Sequence, residues 1–169
     1  MHTATQSKSE GKTEPLCLEP GEYKWLRPNR LSAAWNLMYG DEKLTTLSSP
    51  KSFGRMVTFE SAGENYTIKK GGVRNPGGDL RSMSSAEPVT LLSIQNVTTS
   101  AISENGKNYT LKRKEKTEEW TLMESNDVVF NAVRDTSGRL PQGTVMVAKP
   151  VSITVMAFAW FMIFSDEIQ

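Results

Sequence analysis

The run Val151–Phe164, VSITVMAFAWFMIF, decides the fold. It reads as an α-helix that is apolar on every face, with no polar stripe to turn towards water. Lys149-Pro150 supplies a start signal and Ser165-Asp166-Glu167 closes the run. Such a helix must be enclosed by lipid or by protein, and its length chooses between them. Fourteen residues at about 1.5 Å each reach only ~21 Å. A bilayer core of about 30 Å requires about 20 residues. No cluster of Lys or Arg flanks the run as a membrane boundary would favour. The segment is therefore expected to be the core of a protein domain.

The rest of the chain supplies a container. From Glu22 onward, short extended runs alternate with turn signals, the pattern of an all-β domain. Strands are expected at Tyr23–Leu26, Leu31–Tyr39, Lys43–Leu47, Arg55–Glu60, Tyr66–Lys70 and Asp79–Met83. Six more follow at Val89–Gln95, Thr98–Ser103, Asn108–Lys114, Trp120–Met123, Val128–Val133 and Thr144–Ala148. Asn105-Gly106 is the strongest two-residue hairpin signal among the turns. A barrel of about a dozen strands encloses a lumen too wide for its own side chains to fill, and a helix about 10 Å across fits it. The expected fold is thus mainly β: an antiparallel barrel of about twelve strands around one hydrophobic C-terminal helix at 151–164. Residues 21–169 would form a single domain. Residues 1–20, rich in Ser, Thr, Glu and Lys without apolar periodicity, would form a disordered lead-in.

Gly63–Lys70 reads GENYTIKK and Gly106–Arg113 reads GKNYTLKR. This echo is expected to mark two related β-meander halves. Trp160 belongs to the apolar helix and Trp35 and Trp120 to alternating strands, so all three are expected in the core.

Composition narrows the chemistry. At 37% hydrophobic and 23% charged residues, with 20 basic against 19 acidic side chains, the chain reads as a globular domain with no bulk electrostatic case for nucleic acid. Cys17 and His2 are the sole members of their types and both precede the folded region. A Ser-His-Asp triad, a Cys-His pair and a His/Cys metal site are therefore excluded there. No P-loop occurs and no dinucleotide fingerprint opens a helix after a strand. The expectation is a protein that is not an enzyme, holds no metal and uses no cofactor. A lone cysteine and the absence of an apolar core in Met1–Glu10 point to a reducing, cytoplasmic location. The sequons at Asn65, Asn96 and Asn108 are then read as strand and turn residues.

The positive candidates are two basic clusters. Lys69, Lys70, Arg74 and Arg81 flank the glycine-rich loop Gly71–Gly78, and Lys112, Arg113 and Lys114 close the second copy of the echo. Cations around the backbone amides of a glycine-rich turn suit a phosphorylated head group. The competing reading is a solvated set of charges that blocks pairing at a sheet edge.

A many-stranded barrel threaded by an apolar C-terminal helix resembles the tubby-like superfamily of tubby C-terminal domains, LURP-one-related proteins and phospholipid scramblases. The closing MIFSDEI (Met162–Ile168) is similar to the apolar run ending in Asp-Glu-Ile in many LURP-one-related chains, and LPQGTVMVAK (Leu140–Lys149) before the helix looks like a scramblase ending. The resemblance covers Glu22–Gln169 in layout and the last twenty or so residues in letters. It implies a binding module for anionic phospholipid head groups or a protein partner, acting as a monomer, peripheral at the membrane. Where scramblases carry an acidic calcium segment this chain has Asp135-Thr-Ser-Gly-Arg-Leu-Pro-Gln, so calcium binding is not implied. Two alternatives are a lipocalin-like barrel holding a small apolar ligand and a scramblase-like membrane protein.

Overall fold

A computed structural model describes residues 15–28, 34–49, 56–71, 77–96, 98–137 and 142–165. The strands are β1 (Cys17–Leu18), β2 (Gly21–Leu26), β3 (Ala34–Tyr39), β4 (Glu42–Ser48), β5 (Met56–Ser61), β6 (Glu64–Lys70) and β7 (Gly78–Ser82). They continue as β8 (Pro88–Ile94), β9 (Thr99–Glu104), β10 (Lys107–Arg113), β11 (Glu119–Glu124), β12 (Asp127–Asp135), β13 (Gln142–Val147) and β14 (Val151–Ser152), before the helix α1 (Ile153–Ser165).

Strands β2 to β13 form a closed antiparallel barrel of twelve, each beside its sequence neighbours, with β13 sealed to β2. The expected fold class is thus the observed one, and each of the twelve expected strands overlaps one wall strand. Residues 31–33 and Arg55, placed in strands by the sequence, lie outside the described residues.

The wall forms because its strands alternate. In β10, Tyr109 and Leu111 are buried while Asn108, Thr110 and Lys112 face out, and β6 repeats this with Tyr66 and Ile68. Both strands are entered through two-residue turns with positive φ at both positions, Ala62 (54°) with Gly63 (79°) and Asn105 (51°) with Gly106 (80°). That conformation matches the twist of the flanking strands, and the glycine at its second position is the turn residue the two copies share. Strands β6 and β10 stand four places apart in a ring of twelve, so the echo marks a repeated hairpin rather than two equivalent halves.

The inward positions meet α1. Every described side chain of the helix from Ile153 to Ile163 is buried. Trp160 stacks on Trp25 with ring centroids 5.6 Å apart, and Trp25, Trp35 and Trp120 are all buried. At Gly143 the wall comes so close that an added Cβ would overlap the Trp160 ring and lie 2.9 Å from the Val133 carbonyl. The bulkiest residue of the helix therefore seats where the wall has no side chain.

Two expectations change. The helix begins at Ile153 rather than Val151, because Val151 and Ser152 pair with Cys17 and Leu18. That pairing also orders part of the segment assigned to a disordered lead-in. Leu18 is 2% exposed, the Leu16 carbonyl accepts the Ile153 N–H at 2.8 Å, and Tyr23 donates to the Glu19 carbonyl at 2.7 Å. A buried leucine and three backbone ties outweigh the polar composition around them.

One seam is weak. Among the described residues, strands β4 and β5 share a single paired position, Ser48 with Thr58, where the other barrel seams carry three or more. A hydrogen bond from Thr45 Oγ1 to the Glu60 carbonyl at 2.6 Å bridges the splayed part, beside a polar groove of about 420 Å³.

Gly143→Ala is expected to cost about 2–3 kcal/mol through overpacking against Trp160, read as a lowered urea midpoint. Burial pushes the Tyr109 phenol up to about 12, with the Glu124 and Glu104 carboxylates adding to the effect. An unfolded phenol titrates near 10, so stability is level below about pH 10 and falls between about pH 10 and 12, by up to ~3 kcal/mol. Urea midpoints at about pH 8 and 11.5 should differ accordingly, and Tyr109→Phe should reduce that difference, leaving the part due to Tyr23 and Tyr66, which burial also raises.

Candidate functional site

Successive wall strands run in opposite directions, so the connections sort into two mouths. The helix starts at the upper mouth, with the turns at Gly40-Asp41, Ala62-Gly63, Asn105-Gly106 and Ser125-Asn126. It ends at the lower mouth, where β6 passes to β7 and β10 to β11. Lys69 and Lys70, and Lys112 to Lys114, therefore border the lower mouth, while Arg81, paired with Thr67, stands mid-wall.

The first cluster forms a concave site. Gly71 N–H donates to the Gly77 carbonyl at 2.6 Å and pinches the base of the β6–β7 connection. Gly77 has φ of 134°, and a Cβ there would sit 2.7 Å from the Leu92 carbonyl; one on Gly78 would sit 2.6 Å from the Lys69 carbonyl. Glycine at both positions lets the backbone of three strands converge. The result is a groove of about 540 Å³ lined by Lys69, Lys70, Gly71, Gly77, Gly78, Asp79, Arg81 and Leu92. Lys69 projects outward and Lys70 is half-buried. Arg81 is held at both ends, by Asp79 at 3.2 Å and by the Ala86 carbonyl at 2.7 Å, so part of its charge is already matched. Arg74, assigned to this cluster from the sequence, lies outside the described residues.

The second cluster is different in kind. Arg113 packs over the Trp120 ring, donates to the Thr117 carbonyl at 2.9 Å and pairs with Glu118 at 3.3 Å, which ties the β10–β11 turn together. Lys112 and Lys114 face solvent. Four strand spacings of about 4.8 Å put roughly 19 Å of wall between the clusters, so they do not form one site. The reading of these charges as edge protection loses its premise, because a closed barrel has no free edge to protect.

Two groups that the sequence reading passed over hold the ends of α1. At the upper mouth the Glu104 carboxylate accepts hydrogen bonds from Thr90 and Thr154 at 2.5 Å and from Ser152 at 2.6 Å, while Ser152 Oγ accepts the Val155 N–H at 3.2 Å. A carboxylate and a serine cap complement the exposed N–H groups and positive end of the helix. At the lower mouth Arg134, only 6% exposed, donates to the Ile163 carbonyl at 2.6 Å and to Glu118 at 2.7 Å. Both residues sit at inward positions of alternating strands, and a charge at an inward position was the available signal.

Asp135, at the end of β12, turns its carboxylate on Ser137. It accepts the Ser137 Oγ–H at 2.6 Å and N–H at 2.9 Å, which with Gln142 hold its carboxyl below the ordinary value. Among the described residues no three His, Cys, Asp or Glu side chains converge as metal ligands. No helix among them is long and apolar enough to cross a membrane.

Comparison with protein-family models, curated proteins and solved structures returned no match to this chain.

Arg134→Met would strip the last turn of α1 of its cap and leave Glu118 with Arg113 alone. Chemical denaturation should register a loss of about 2–3 kcal/mol.

Proposed function

We propose that this chain is a non-enzymatic binding module of the tubby-like, LURP-one type, which holds an anionic phospholipid head group at the cytoplasmic face of a membrane. The observation that carries the reading is the lower-mouth groove. Two lysines there, Lys69 and Lys70, line a groove whose base is closed by the Gly71–Gly77 hydrogen bond. Ammonium groups lining one groove suit a phosphate, since charge-assisted hydrogen bonds are the strong ones. The architecture adds support, because a closed barrel around an apolar C-terminal helix is the layout on which the tubby-like resemblance rests.

The filled lumen weighs against the lipocalin-like alternative: α1 occupies the volume an apolar ligand would need. Recognition is therefore sought on the outer surface and at the mouths. The closed wall leaves no long strand edge for pairing with a second copy, in keeping with a monomer.

Titration calorimetry with a soluble inositol phosphate tests the site apart from any membrane. Lys69→Ala/Lys70→Ala should lose about tenfold or more in affinity. Lys112→Ala, roughly 19 Å away along the wall, should bind as the unaltered chain does. Equal binding by the double variant, or none by the unaltered chain, would sink the proposal.

A further inference from the structure

The wall beside the groove carries an exposed leucine with no structural task. Leu91, in the middle of β8, is 50% exposed and faces outward while its neighbours Thr90 and Leu92 are buried. The register fixes its surroundings: Lys69 pairs with Asp79, Asp79 with Leu91, and Leu91 with Ser103. Lys69 and Leu91 thus share one row, two strands or about 10 Å apart. The acid between them, Asp79, is bridged to Arg81 at 3.2 Å, which offsets its charge. On the other side the row runs from Leu91 through Ser103 to Asn108 without charge, and Ala101 and Thr110 are uncharged as well. The next cation at an outward strand position is Lys112, four residues further along β10 and paired with Thr99. Neither Lys69 nor Lys112 has a carboxylate partner among the described residues.

We infer that the outer wall from β6 to β10 is a lipid-facing surface, in which Leu91 enters the boundary between head groups and acyl chains while Lys69 and Lys112 reach anionic phosphates on either side. The inference rests on the head-group reading of the groove and extends it from a single ligand to an oriented contact with a bilayer. Curvature supplies the geometry. A barrel wall is convex, so of five adjacent strands the middle one, β8, stands furthest forward. The apolar residue is at that crest, and the flanking lysines stand further back with long stems able to bring their ammonium groups up to the phosphate layer. Between Leu91 and Lys112 the surface is uncharged, and between Lys69 and Leu91 the charges are those of the Asp79–Arg81 pair, so the desolvation penalty is confined to that pair. Apolar burial and attraction to anionic lipid then act together, as they do for other peripheral surfaces.

The experiment pairs two ligands with the full chain: soluble inositol phosphate, and phosphatidylcholine vesicles containing a phosphatidylinositol phosphate, followed by sedimentation. Leu91→Ser should bind soluble inositol phosphate unchanged and lose roughly five- to tenfold in vesicle binding, the effect of withdrawing one half-exposed leucine from the interface. Lys112→Ala should lower vesicle binding and leave the soluble ligand untouched. A nitrobenzoxadiazole label on Leu91→Cys in a Cys17→Ser background should shift to the blue when vesicles are added, and a matching thermal melt confirms the fold. Vesicle binding of Leu91→Ser equal to that of the unaltered chain, with soluble binding intact, overturns this inference and leaves the head-group reading standing. Failure of the unaltered chain to bind soluble inositol phosphate brings down the head-group reading, and this inference with it.

Discussion

A helix without a polar face imposes its terms on everything around it. From Ile153 to Ile163 the helix α1 has no side that meets water, so the wall must surround it, and an open sheet would not do. Closure in turn calls for mostly apolar residues at the inward, alternate wall positions and a lumen matched to one helix. The match is local as well as global. Trp160, the largest side chain of α1, lies against Gly143 and stacks on Trp25, so bulk on the helix is met by its absence on the wall.

Filling a lumen with helix leaves polar ends to settle. Glu104 and Arg134 enter from opposite mouths with charges of the sign the helix ends favour, and neighbouring hydroxyls or Glu118 complete their hydrogen bonding. Four indole N–H groups, those of Trp25, Trp35, Trp120 and Trp160, are buried without an acceptor among the described residues. Each orphaned donor costs about 1–3 kcal/mol. Burying 150–250 Å² of indole at about 25 cal/mol per Å² returns about 4–6 kcal/mol, so ring packing wins at these positions.

The fold was legible because two periodicities sit side by side in one chain. Strand positions followed from alternation, as in Tyr109 and Leu111 against Asn108 and Lys112, and the barrel followed from a helix too short for a bilayer and too apolar for a surface. The pairing of Cys17-Leu18 with Val151-Ser152 was not legible, since it joins segments more than a hundred residues apart and rests on backbone bonds that carry no side-chain signature. The groove was half legible. Glycines and lysines marked the turn, but that Arg81 is bound up with Asp79 and Ala86, and Arg113 with Glu118 and Thr117, depends on where side chains point. Leu91 gave no signal at all, because one leucine in the run VTLLSI reads as core until the register shows which of the pair faces out.

The order of the elements along the chain bears on how the molecule is made. Its core follows every wall strand, and the seal between β13 and β2 joins segments more than a hundred residues apart. During synthesis the hairpins can form one after another as they leave the ribosome, but the interior they are patterned to cover has not yet been translated. For that interval the chain is a string of half-apolar strands without a centre, at its most exposed to aggregation and to chaperones. Folding to completion is therefore a late, single event, set off by the arrival of α1.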